Sequence, residues 1–164
     1  IASDHGGSAF EWATKPEDRS RLWKARHNAY YAALALSPGR QAFATDACVP
    51  ISRLTECVLQ TRADVEAIGL TAPIVGHVGD GNFHLVVLFD PNDPREREKA
   101  ESLAKKVSRR AIAMGGTCTG EHGIGMHKLE ALVAEHGDAV ELMKTLKRAL
   151  DPRNILNPGK TVPL

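Results

Sequence analysis

The sequence predicts an α+β fold: an antiparallel sheet with helices on one face. Three observations lead there. Two β-rich runs, residues 72–78 and 84–89, flank Gly79-Asp80-Gly81-Asn82, a strong hairpin signal that makes the central strand pair antiparallel. Stretches with helical periodicity bracket that pair on both sides. The chain has 164 residues, 43% of them hydrophobic, enough for one domain with a core. There is no internal repeat, low-complexity tract or linker. Fewer strands are visible than such sheets usually carry, so the sheet is expected to be incomplete, with partners upstream of Ile1.

The elements follow in order. Thr14 is placed to cap a first helix, with Pro16 in its first turn and Glu17 reaching back; its apolar period runs to Ser37-Pro38-Gly39. Residues 42–49 are short and mixed and read as one strand. Ser52 is placed to cap a second helix that ends at Gly69. After the hairpin, Asp93-Pro94-Arg95-Glu96 repeats the capping logic for a helix that runs to Met114 and stops at Gly115-Gly116. A glycine-dense loop covers 115–125, and two helical stretches lie within 128–150. The tail, 151–164, contains Pro152, Pro158 and Pro163 and is expected to lie extended over a surface.

Composition excludes several functions. With 21 Lys+Arg against 20 Asp+Glu the net charge is +1, which gives no electrostatic footprint for nucleic acid. No apolar run approaches the roughly 20 residues of a membrane helix. The sequence begins at Ile1 without an n-region or h-region, so no signal peptide is expected, and it reads as a fragment or processed piece. Cys48, Cys57 and Cys118 are odd in number and form no CxxC, which fits reduced thiols in a cytosol-like compartment.

The chemistry concentrates in two stretches. If Asp80 and Gly81 are the central residues of a two-residue turn, Gly79 pairs with Asn82 and His77 stands opposite His84. Directly paired Cβ atoms lie about 4.5–5.5 Å apart on one face. Two imidazoles that close can share a divalent metal such as Zn²⁺. Asp80 itself reads as a turn residue. The second stretch is Gly120-Glu121-His122-Gly123-Ile124-Gly125. Glu121 offers a carboxylate as third ligand, and two His with one carboxylate leave open positions, as catalytic sites require. His122 has the chemistry of a general base near neutral pH. Arg26, with Trp23 and Tyr30 within a turn, can fork onto a substrate carboxylate. The plainer alternatives remain open at this point: a bare turn between ordinary sheet histidines, a loop with an exposed acid, and a solvated helix arginine.

These stretches carry a resemblance. Gly76-His77-Val78-Gly79-Asp80-Gly81-Asn82-Phe83-His84 and Gly120-Glu121-His122-Gly123-Ile124-Gly125 resemble the two signatures of the FAD-linked oxidase C-terminal domain, of the vanillyl-alcohol-oxidase type. Asp151-Pro152-Arg153-Asn154-Ile155-Leu156-Asn157-Pro158-Gly159-Lys160 is similar to that family's closing motif. Leu22-Trp23-Lys24-Ala25-Arg26-His27 and Thr45-Asp46-Ala47-Cys48-Val49-Pro50-Ile51 resemble its D-lactate dehydrogenase branch.

The resemblance implies an incomplete ferredoxin-like cap domain over 1–150. The tail, 151–164, would pack on an FAD-binding domain absent from this chain. It implies His77, His84 and Glu121 as ligands of Zn²⁺ or Mn²⁺, His122 as the base, Arg26 at the substrate carboxylate and Asn157 near the flavin. Val86 and Ala44 depart from the D-2-hydroxyglutarate branch, which carries Asn and Lys there, and favour a monocarboxylate such as D-lactate or glycolate. The implied parent is an FAD-dependent D-2-hydroxy-acid dehydrogenase, with this chain inactive alone. The implied location is cytoplasmic or peripheral to an energy-transducing membrane, mitochondrial in a eukaryote. The electron acceptor is not indicated, and an open sheet edge favours homo-oligomers. The competing readings are a free-standing metal-binding or interaction module and a metal-dependent hydrolase.

Overall fold

The computed structural model describes residues 3–7 and 12–164. A 3-10 turn at Ser3–His5 precedes helices α1 (Pro16–His27) and α2 (Ala29–Ala35) and strands β1 (Gln41–Ala44) and β2 (Ala47–Cys48). Then come α3 (Ile51–Ile68), β3 (Ile74–His77), β4 (Asn82–Phe89), α4 (Pro94–Ala113), α5 (Leu129–His136) and α6 (Ala139–Leu150).

β4 organises the sheet. All eight of its residues are buried, and β1, β2 and β3 each pair with it antiparallel. Alternation along β4 then sorts the side chains. Phe83, Leu85, Val87 and Phe89 face a core built with Leu54 and Cys57 of α3 and Ala100, Leu103, Val107 and Ala111 of α4. Removing a fully buried leucine such as Leu85 costs about 2–5 kcal/mol. Asn82, His84, Val86 and Leu88 face the other side. There Val86 and Leu88 pack with Ala33 of α2, Ala42 and Val75, while Asn82 and His84 are left for polar partners. The α+β architecture with its two long helices on one face is therefore as expected, and the opposite face carries chemistry at its turn end.

The expected strand over 42–49 is split. β1 and β2 share one register against β4, with Gln41 opposite Phe89 and Ala47 opposite Phe83. The break lies at Thr45, whose hydroxyl takes the Leu85 N–H at 3.0 Å while its own N–H reaches Leu85 O at 2.9 Å. The Thr45 carbonyl is thereby freed for a side chain.

The hairpin differs from its expected form. His77 pairs with Asn82 and Val75 with His84, so the connection is four residues long. Val78–Asp80 forms a 3-10 turn and only Gly81 has a positive φ, +73°. The reason is the corner beside it: Val49 N donates to Gly81 O at 3.0 Å and Cys48 Sγ to Asp80 O at 3.3 Å. A Cβ on Gly81 would lie 2.1 Å from Val49 O, so the position needs glycine twice over.

Helix ends follow local chemistry, with four corrections. Lys15, not Thr14, precedes α1, and no side chain caps it; Pro16 sets the start. Asn28, at φ −91° and ψ 2°, interrupts what reads as one helix into α1 and α2. Pro50 precedes α3, so Ser52 lies inside it, while Gly69 ends it in left-handed backbone. Asp93 does cap α4 through Arg95 N at 2.9 Å, but Glu96 turns instead to Asp90 N and Arg40. The tail is folded rather than extended. Asp151 accepts from Ile155 N and Leu156 N, and Asn154, Asn157 and Thr161 take positive φ. α6 buries Val140 and exposes Leu142, Leu146 and Leu150.

Candidate metal centre

Three side chains converge at the turn end of the polar face. His77, His84 and Glu121 each offer one ligand atom, and these atoms all lie within 4.8 Å of one another. His84 Nε2 is 2.9 Å from Glu121 Oε1, and His77 Nε2 is 3.7 Å from the same oxygen. The His84 ring is oriented from behind, because Nδ1–H donates to the freed Thr45 carbonyl at 2.9 Å. That bond leaves Nε2 to face the carboxylate, the arrangement metal-ligating histidines usually have. The donor chemistry, two imidazoles and a carboxylate, suits Zn²⁺ or Mn²⁺.

His122 stacks on His84 with centroids 5.0 Å apart and planes at 13°, and its Nε2 lies 3.8 Å from Glu121 Oε1. Its side chain is 47% exposed, so a substrate can reach it. Arg26 of α1 points into the cluster: Nη2 is 2.9 Å from His77 Nδ1 and also lies against Nε2, and a neutral imidazole accepts through one of the two. The guanidinium carbon sits 5.2 Å above the Trp23 ring. Among the described residues Asn157 makes no hydrogen bond to the cluster; it lies in the exposed tail, where its carbonyl accepts from Lys160 N at 3.2 Å.

The loop that carries Glu121 and His122 is fastened by residues to which sequence reading gave no role at the site. Thr117 N donates to Cys48 O at 2.8 Å, tying the loop to the outer edge of β2. Asp46 stands opposite His84 in the shared register and is buried. It accepts from Thr119 Oγ1 at 2.6 Å, Glu121 N at 3.0 Å, His122 N at 2.9 Å and Asn82 Nδ2 at 2.9 Å. Burial alone would raise the Asp46 pKa, but these hydrogen bonds outweigh it and hold the carboxyl well below its ordinary value. Lys128 Nζ donates to Asp46 O at 2.9 Å and Cys118 O at 2.7 Å. Asn82 Oδ1 is a buried side-chain atom without a partner among the described residues. No sequence spacing links Asp46 to a loop more than seventy residues away; only the strand register brings them together. A cavity of about 650 Å³, lined by Phe43, Phe89, Ala104 and Ser108, runs beside β1 to His122.

The antiparallel sheet with its helices has the fold of an FAD-linked oxidase cap domain, and comparison with known proteins assigns the family. Residues 1–161 match the model for FAD linked oxidases, C-terminal domain, and the chain belongs to that family. It is similar to the probable mitochondrial D-lactate dehydrogenase of Danio rerio, 56% identical over 100% of this chain and 33% of that protein. The mitochondrial D-lactate dehydrogenase [cytochrome] of Arabidopsis thaliana is 44% identical over 99% of this chain and 29% of that one. The glycolate oxidase subunit GlcD of Escherichia coli K12 is 35% identical, with 96% and 32% covered. The fold is similar to part of 4-ethylphenol oxidase from Gulosibacter chungangensis, at a TM-score of 0.60 and 20% identity over 92% of this chain and 32% of that one. The chain thus spans about a third of the length of these relatives. Among the described residues no helix is long and apolar enough to cross a membrane.

Proposed function

We propose that this chain is the substrate- and metal-binding part of an FAD-dependent D-2-hydroxy-acid dehydrogenase of the D-lactate type. The observation that carries the reading is the convergence of His77, His84 and Glu121 beside Arg26 and His122. In this reading residues 1–150 are a cap portion, and 151–164 pack on an FAD-binding portion of a longer protein. The exposed leucines of α6 support such a partner. Asn157 then approaches the flavin.

His77, His84 and Glu121 would hold the metal, Zn²⁺ or Mn²⁺. When bound it supplies Lewis-acid polarisation of a 2-hydroxy acid's oxygens. FAD supplies the hydride acceptor. His77 would offer a nitrogen to the metal only with Arg26 turned away from it, and the Arg26 fork would then be available for the substrate carboxylate. His122 Nε2 takes the hydroxyl proton. His84, stacked beneath it, limits how the ring can swing. Ala44 and Val86 face each other across β1 and β4 on the same side of the sheet. That apolar pair offers nothing to a second carboxylate and favours D-lactate or glycolate over a dicarboxylate.

The mitochondrial relatives support a mitochondrial or membrane-peripheral site of action in a eukaryote. Among the described residues no further strand pairs with β1 or β3, and these edges suit strands from the longer protein or a second copy; a monodisperse monomer by light scattering argues against the second copy. The test of function is dye reduction by D-lactate in the flavin-loaded protein, with and without chelator. Flavin-dependent turnover that the chelator abolishes is the expected result. Dye reduction that needs no flavin would overturn the reading, and none in any condition would leave the hydrolase and the bare metal-binding module.

A further inference from the structure

We propose that Asp46 is a positioning residue that fixes Glu121 and His122 together, and that Lys128 holds Asp46 in turn. The inference rests on the roles just given to those two residues. It starts from how the loop is held. Glycines at 120, 123 and 125 leave its backbone few intrinsic restraints. Among the described residues the acceptor found for both the Glu121 and the His122 amides is one oxygen, Asp46 Oδ2, at 3.0 and 2.9 Å.

Two consecutive N–H groups aimed at one atom fix the backbone directions of both residues. Ligand and base are therefore set as a unit rather than separately. The turn is closed by a relay: Thr119 Oγ1 donates to the same oxygen at 2.6 Å and accepts from Gly123 N at 2.8 Å. The other oxygen, Oδ1, takes Asn82 Nδ2 at 2.9 Å and lies 3.8 Å from His84 Nδ1.

The neighbouring residue completes the arrangement. Thr45 O orients His84 and Asp46 orients Glu121 and His122, so the two adjacent residues that join β1 to β2 aim three functional side chains. Lys128 Nζ sits 3.7 Å from Asp46 Oδ2 while bonding Asp46 O and Cys118 O, and so supplies the opposing charge that a buried carboxylate needs. A Cβ at residue 120 would fall 1.8 Å from Asn82 Nδ2 and 3.2 Å from Asp46 Oδ1, so the loop is seated against this carboxylate without slack.

The test uses the flavin-loaded longer protein that contains this chain, stripped of metal, as wild type, Asp46→Ser and Thr119→Val. Three readouts are Mn²⁺ affinity, backbone hydrogen exchange over residues 119–124, and kcat and KM for D-lactate at saturating Mn²⁺. Outer-shell partners of metal ligands typically tune affinity about 10–100-fold. Asp46→Ser should weaken Mn²⁺ by about that factor. It should also speed exchange over 119–124 about tenfold or more and lower kcat, with KM nearly unchanged because Arg26 lies outside the network. Exchange in α3 should not change. If Asp46→Ser fails to fold, Thr119→Val, which keeps the carboxylate and drops one donor, should show the same shifts at smaller size. Mn²⁺ affinity within about twofold of wild type and unaltered 119–124 exchange in a folded variant would overturn the proposal. If the wild type binds no Mn²⁺, the metal reading fails, and exchange over 119–124 alone decides the role of Asp46.

Discussion

His77 and His84 share a face of the sheet without standing opposite each other. Asn82 is the partner of His77 and Val75 that of His84, yet the two rings lie 6.0 Å apart at 82°. A register change of two residues preserves the face of every side chain, whereas a change of one reverses it. The four-residue turn therefore keeps the pair that a two-residue turn would have made, along a diagonal in place of a direct pairing.

Arg26 is the first residue whose replacement separates binding from chemistry. Its guanidinium is steadied by the Trp23 ring and reaches His77, and lysine cannot supply the same planar fork. Arg26→Lys should raise KM for D-lactate about 10-fold or more, with a smaller change in kcat, since charge-assisted bonds contribute about 1.5–3 kcal/mol. Steady-state kinetics with unchanged KM would remove Arg26 from the substrate.

Two glycines of the same loop should respond differently. At Gly120 an added methyl collides with Asn82, and Gly120→Ala should cost about 1–3 kcal/mol and displace Glu121. At Gly123 nothing lies within 4 Å and only the positive φ of +79° is strained, so Gly123→Ala should cost about 1–2 kcal/mol. Metal titration of the two variants should show loss in the first and near retention in the second.

Much of this was legible in the sequence because the signals are local. The hairpin at 79–82, the Asp93 cap and the Gly69 stop each depend on neighbouring residues, and His77, His84, Glu121 and Arg26 do meet. What was not legible depends on contacts across the chain. The turn changed length because Val49 and Cys48 grip it, and the strand split because Thr45 Oγ1 competes with its own carbonyl. Asp46 lies in the 45–51 stretch that carries the resemblance, but nothing in that stretch points to a loop more than seventy residues away. Asn157 was tied to the flavin by resemblance alone, and its contacts here lie in the tail.

Away from the site, Asp64 joins α3 to α4. Burial alone would raise its pKa, but Lys106 at 2.5 Å and the Arg110 guanidinium outweigh that and hold it below its ordinary 3.8. Its contribution is therefore present above that pH and lost as pH falls through the lowered value. Asp64→Asn should lower stability by about 1–3 kcal/mol at pH 7 in urea unfolding, and the difference from wild type should shrink in acid. A difference that grows in acid would reverse the assigned sign.

Cys118 should be chemically silent in the native state. Burial first, then the Glu135 carboxylate, pushes its thiol up to about 11 from 9.0. The thiolate fraction at pH 8 then falls about 100-fold. Iodoacetamide should label Cys118 slowly until urea exposes it, as mass spectrometry of the labelled peptide can follow. Rapid native labelling would contradict this burial.

The most direct test of the metal centre is metal content and affinity in the flavin-loaded protein, wild type beside His84→Ala and Glu121→Gln. The account predicts about one equivalent of Zn²⁺ or Mn²⁺ in wild type and its loss in both variants, as removal of one of three protein ligands requires. Undiminished metal in His84→Ala, or none in wild type after titration, would contradict it.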